Sequence, residues 1–109
     1  MSLITFGSTP AEPGAERAGK DAASVERGAS DPVTVPSLLE KKMLRRPISV
    51  VTAYDYASAR LVDEAGLDVV LVGDSLAMVM QGHENTLAIT MDEMLLYTRG
   101  VRRALRRAL

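Results

Sequence analysis

The chain is 109 residues long, 47% apolar and 25% charged, with a formal net charge of −1. That is the size and balance of one small globular domain, and it gives no global charge argument for nucleic acid or acidic partners. With no cysteine, disulfides and thiolate metal sites are excluded, which fits a reducing compartment.

Residues 1–32 differ in composition from the rest. They are rich in Ala, Gly, Ser, Pro and Glu, and only Leu3, Ile4, Phe6 and Val25 could anchor a core. So little apolar surface does not offset the entropy of ordering, so a disordered N-terminal tail is expected over 1–32. The N-terminus has neither the basic nor the apolar region of a secretory signal. No apolar run approaches the ~20 residues needed to cross a bilayer. A cytoplasmic location is the expectation.

Order should begin near Thr34. Pro36 suits the first turn of a helix, where its missing N–H costs nothing. Leu38, Leu39 and Met43 recur at helical spacing, Lys41, Lys42, Arg45 and Arg46 fill the other face and the last turn, and Pro47 ends the element. Ile48–Ala53 is a β-branched run, the pattern of a strand buried on both faces. Asp55 can cap the following helix, with Ala59, Leu61, Val62 and Ala65 as its apolar face and Arg60, Asp63 and Glu64 as its wet one. Gly66 stands where a left-handed C-terminal cap belongs. A second buried strand is predicted over Asp68–Val72. Strand, helix and strand so close together make a tight βαβ unit with parallel strands.

After Ser75 the pattern predicts a short helix over Leu76–Met80, then the polar loop Gln81-Gly82-His83-Glu84-Asn85. Thr90 and Glu93 form a capping box for the last helix. Met94, Tyr97, Thr98, Val101, Leu105 and Ala108 are its inner stripe, and Leu109 lies in or just past it. A third strand is due there and none follows within the chain. Two parallel strands leave two open edges, so the chain reads as the opening part of a larger domain.

Chemistry is sought where parallel strands run out of their sheet. Asp74 lies there, after Val69-Val70-Leu71-Val72-Gly73, as a hard oxygen ligand for Mg2+ or as a cap for the short helix. Ser75 could hold a carboxylate or phosphate at that helix start, or cap it. Tyr54 and Asp55 sit at the matching end of the first strand, Tyr54 lining the mouth or closing its top, Asp55 capping. His83, the single histidine, reads as an exposed loop residue. Five arginines from Arg99 onward, without an acid, suit a basic surface helix for nucleic acid or an anionic membrane. Because such cations complement the helix dipole and the opposite stripe is apolar, a solvated exterior face is the expectation. The first strand-to-helix turn, Ala53-Tyr54-Asp55-Tyr56, has no glycine, which speaks against a dinucleotide fold. No P-loop, HExxH or GxSxG occurs either.

Four motifs in order carry a resemblance: Thr52-Ala53-Tyr54-Asp55, Val72-Gly73-Asp74-Ser75-Leu76, Gln81-Gly82-His83-Glu84-Asn85-Thr86-Leu87 and Thr90-Met91-Asp92-Glu93-Met94. From about Val33 to Leu109 the chain resembles the N-terminal part of the ketopantoate hydroxymethyltransferase (3-methyl-2-oxobutanoate hydroxymethyltransferase) family. The resemblance implies an α/β fold, the N-terminal portion of a (β/α)8 TIM barrel of typically about 250 residues. Residues 33–109 would then be a truncated part of that domain: leading helix, two parallel strands and two helices.

It also implies hydroxymethyl transfer from 5,10-methylenetetrahydrofolate to 3-methyl-2-oxobutanoate, giving ketopantoate for pantothenate and coenzyme A synthesis. By resemblance a Mg2+ ion holds the oxo acid through its carboxylate and keto oxygens and polarises the carbonyl, so that an enolate forms. Asp74 matches the aspartate that binds the metal-chelated substrate, and Ser75 the serine that contacts the oxo-acid carboxylate. No catalytic residue carries over. The base and the remaining metal-site groups are expected beyond Leu109, so the chain alone is expected to be inactive. Family members form homo-oligomers, and neither nucleic acid nor membrane is an expected partner. Ala77 departs from the glycine usual after the GDSL motif, and residues 1–32 have no counterpart in the family core. The alternative is a non-catalytic interaction module, or a non-functional fragment, with a basic amphipathic C-terminal helix.

Overall fold

In the computed structural model, which describes residues 3–6 and 31–109, three strands form one sheet in the order β1-β2-β3. β2 (Ile48–Thr52) and β3 (Val69–Leu71) are parallel, with Val50 opposite Val69, Val51 opposite Val70 and Thr52 opposite Leu71. Each is slightly shorter than the sequence pattern predicts. Neither is buried on both faces: Val51 is the one fully buried residue of β2, and β3 has none. Strands buried on both faces need a layer on each side, and the described helices do not supply two complete ones.

β1 (Leu3–Phe6) is a correction to the expected tail. It runs antiparallel along the free edge of β2, Leu3 opposite Val51 and Phe6 opposite Ile48. Leu3, Ile4 and Phe6 are three of the four residues in the first 32 that could anchor a core, and an unpaired edge offers their backbones partners. The rest of the expected disordered segment, residues 1–2 and 7–30, lies outside the described residues.

Helix α1 (Val35–Met43) opens with Thr34 and Ser37 bonded reciprocally as a capping box, Pro36 in its first turn. It ends earlier than Pro47 would impose. The N–H of Arg45 bonds the Lys42 carbonyl and that of Arg46 bonds the Lys41 carbonyl, at 3.1 and 2.8 Å, with Arg45 in the left-handed region at φ 54°. This is a Schellman end. Arg45 and Arg46 are therefore outside the helix, and Lys41 and Lys42 form its basic last turn.

Helix α2 (Tyr56–Glu64) is capped by Asp55 and ends as expected at Gly66, φ 78°. Its inner face is narrower than predicted. Ala59 and Val62 are buried, whereas Leu61 is 66% exposed and Ala65 is also exposed. After β3 comes the single-turn helix α3 (Leu76–Val79), a 3-10 turn at Thr86–Ala88 and α4 (Met91–Ala104). Ala53, Ala59, Val101 and Ala104 form the core at the meeting of sheet, α2 and α4, with Val70, Val72 and Leu105 against them. The small residues let the two helices approach the sheet closely.

α4 differs from prediction at both faces and at its end. Ala104 rather than Thr98 completes the inner stripe, and the helix stops there instead of running toward Leu109. The chain turns back across the sheet. Leu109 donates its N–H to the Asp68 carbonyl at 3.0 Å and accepts from the Val70 N–H at 2.8 Å. Those two bonds are the ladder pattern of a parallel neighbour on the outer edge of β3.

Candidate functional site

Tyr54, Asp55, Gly73, Asp74 and Ser75 lie together past the C-terminal ends of β2 and β3, because parallel strands deliver their following turns to the same side. Asp55 takes the structural role weighed for it. Its Oδ1 accepts the Ser58 N–H at 2.9 Å and its Oδ2 the Ser58 hydroxyl at 2.7 Å. The Ser58 backbone bond, then the Ser58 side-chain bond, hold its pKa below the usual carboxylate value. It is committed to capping α2.

Asp74 is exposed, and none of the hydrogen bonds found among the described residues reaches its carboxylate. Its backbone carbonyl accepts from the Ala77 N–H at 2.9 Å, but its side chain caps nothing. Ser75 occupies the cap position of α3 without making a side-chain cap bond. The Ser75 hydroxyl instead meets the Tyr54 hydroxyl, Oγ to Oη 2.5 Å, and Tyr54 is 9% exposed. α3 has four residues, so its dipole is small and any anion held at Ser75 would rely on the hydroxyl itself. Capping was the competing reading for both Asp74 and Ser75. Among the described residues the Asp74 side chain caps nothing, and the Ser75 hydroxyl is engaged by Tyr54 rather than by a cap bond.

The neighbouring loop is occupied with its own structure. Gln81 donates from Nε2 to Glu93 Oε1 at 3.0 Å, while Glu93 Oε2 accepts the Thr90 N–H and hydroxyl at 2.8 Å each. The Thr90 backbone bond first, then the Thr90 and Gln81 side chains, lower the Glu93 pKa. Asn85 caps the 3-10 turn through the Leu87 N–H at 3.0 Å. His83 is exposed, as predicted. Among the described residues no three His, Cys, Asp or Glu side chains converge as a metal site. Asp74 has the donor chemistry a Mg2+ ligand needs, a hard carboxylate oxygen without a hydrogen bond among the described residues, but it is not part of a group of three such ligands.

A second polar cluster, at the N-terminal ends of the strands, escaped the sequence reading. Asp68, 3% exposed, accepts from Lys41 Nζ at 2.6 Å and from the Ser49 N–H and hydroxyl at 3.0 Å each. Arg107 was expected on a solvated helix face. It is half-buried, bonds the carbonyls of Gly66 and Leu67 at 2.8 and 2.9 Å, and stands 3.6 Å from Asp68. Asp63, expected on the wet face of α2, accepts the N–H groups of Arg106, Arg107 and Ala108 at 3.0, 3.0 and 2.7 Å. One signal was present: Asp68 is a lone acid opening an apolar strand, where only a paired carboxylate is tolerated. The cluster clamps α1, β2, β3 and the segment after α4. It lies at the opposite end of the strands from Asp74.

Residues 32–109 match the family model described as ketopantoate hydroxymethyltransferase. A 3-methyl-2-oxobutanoate hydroxymethyltransferase of Koribacter versatilis is 64% identical over 76 residues, covering 70% of this chain and 26% of that protein. Those of Pelobacter propionicus and Magnetococcus marinus are each 58% identical, covering 66% and 71% of this chain and 27% and 29% of the relatives. The chain therefore spans between a quarter and a third of the length of these curated relatives.

Proposed function

The chain belongs to the ketopantoate hydroxymethyltransferase family, and from that premise we propose that it contributes the Asp74–Ser75 wall of a site transferring a hydroxymethyl group from 5,10-methylenetetrahydrofolate to 3-methyl-2-oxobutanoate. The β2–α2–β3 unit is the opening of a (β/α)8 barrel, and its C-terminal mouth is the face where such barrels carry their chemistry. The observation that carries this reading is the unpartnered Asp74 carboxylate beside a Ser75 hydroxyl that caps nothing.

In this arrangement Asp74 would be one ligand of a Mg2+ ion, and the Ser75 hydroxyl donates a hydrogen bond to the oxo-acid carboxylate. Bound there, the ion would supply charge that acidifies the C–H next to the keto group. Asp74 orients the acid by its place at the end of β3, and the buried Tyr54 excludes water from one side of Ser75. The chain spans 26–29% of the length of these relatives, and turnover draws on further parts of the family's domain. Exposed apolar residues such as Leu61, Met78 and Val79 support packing of the unit against those parts and within a homo-oligomer.

The test is an amide chemical-shift titration of the chain with 3-methyl-2-oxobutanoate. Shifts at residues 73–76 that need Mg2+, and that disappear in Asp74→Ala, are expected. Shifts unchanged in Asp74→Ala would remove the metal role, and the absence of any shift would remove the substrate reading. Folate-dependent ketopantoate formation by the purified chain would overturn the expected inactivity.

A further inference from the structure

We propose that Tyr54 is a positioning residue for Ser75: its phenolic hydroxyl donates to Ser75 Oγ and so directs the serine proton outward, toward a carboxylate oxygen of the ligand. The ligand part of this inference rests on the proposed function, while the positioning part does not.

The two hydroxyls are 21 positions apart in sequence and 2.5 Å apart in space, each just past the end of one of two paired parallel strands. Geometry alone allows either to donate. The ligand's chemistry decides the direction. A carboxylate only accepts, so a serine that contacts it must give its single proton to the ligand. The bond to Tyr54 then has one proton left to use, the phenol's. A donor chain running Tyr54 to Ser75 to carboxylate polarises each link in the same sense, which strengthens both.

Two local features make the chain stiff enough to act. Tyr54 is 9% exposed and follows the buried Ala53, so its ring is held by packing. Ser75 makes no cap bond that would compete for its hydroxyl. The Ser75 side-chain rotamer is thereby set before any ligand arrives.

The experiment uses the whole chain and two readouts. Hα–Hβ couplings of Ser75 report its rotamer without ligand, and a titration with 3-methyl-2-oxobutanoate and Mg2+ reports affinity. In the native chain Ser75 should occupy one rotamer. In Tyr54→Phe, which keeps the buried ring, the couplings should average and affinity should fall about five-fold. Ser75→Ala should also weaken binding, and the double variant no further, because Tyr54 acts only through the serine. A single Ser75 rotamer in Tyr54→Phe, or additive losses in the double variant, would overturn the proposal. Averaged couplings in Tyr54→Phe with no oxo-acid binding by any form would uphold the positioning role and refute the functional reading instead.

Discussion

Asp63 and Asp68 organise the end of the molecule away from the candidate site, and each carboxylate accepts three hydrogen bonds. Burial raises the pKa of each, but the opposing hydrogen bonds outweigh it. At Asp63 these come from Ala108, Arg106 and Arg107, and at Asp68 from Lys41 and Ser49, so both folded values lie below the ordinary one. Unfolded carboxylates protonate near pH ~4. Below that pH the unfolded chain binds protons before the folded chain does, so the stabilisation is present above it and drains away as pH falls through the folded values. Asp63→Ala should cost about 2 kcal/mol at pH 7, the scale of hydrogen bonds to a charged group. Urea unfolding at pH 7 and pH 3 should show that cost shrinking in acid. A cost independent of pH would mean that the charge is not what matters. The sequence reading assigned both residues to ordinary places because their partners lie far along the chain: Lys41 and Ser49 for Asp68, and residues 106–108 for Asp63.

At the scale of elements, helix starts were legible and helix ends were not. Thr34, Asp55 and Thr90 each cap a helix through their own side chains. A start is written by a side chain three residues from its target, so spacing alone reveals it. Of the ends, only Gly66 was legible, because glycine is the residue that takes a left-handed φ without strain. Arg45 takes the same region at φ 54° with nothing in its type to announce it. Replacing it should therefore help: Arg45→Gly is expected to stabilise the chain by up to ~1 kcal/mol by relieving the left-handed penalty, less the entropy glycine adds to the unfolded state. Thermal unfolding compared with the native chain checks this, and a lowered midpoint would show that the Arg45 side chain contributes more than its strain costs. α4 ends for a different reason. Residues 105–109 leave the helix because Asp63 and the edge of β3 offer their backbone groups better partners than another turn would.

At the scale of the whole molecule, the described core is thin. Leu76 is the one large side chain in it that is fully buried, and Val35, Met43, Leu87 and Met91 are each at least 68% exposed. A layer that leaves such faces uncovered gains little from burial relative to the entropy of ordering it. We expect a thermal midpoint below the ~45–65 °C usual for small domains, by circular dichroism. A midpoint within that range would show that the unit is self-sufficient.

What the amino-acid sequence determined by itself was local. The βαβ unit, the Asp55 and Thr90 caps, the Gly66 turn and the placing of Asp74 and Ser75 after a strand follow from propensity, period and spacing within a few residues. Tertiary structure alone decided the rest. It decided that β1 covers an edge of β2, that Arg107 turns inward, that α4 stops at Ala104, and that Ser75 bonds Tyr54 rather than capping α3. Each of these depends on a partner about twenty or more residues away, and the choice is made by which buried polar group would otherwise go unpaired.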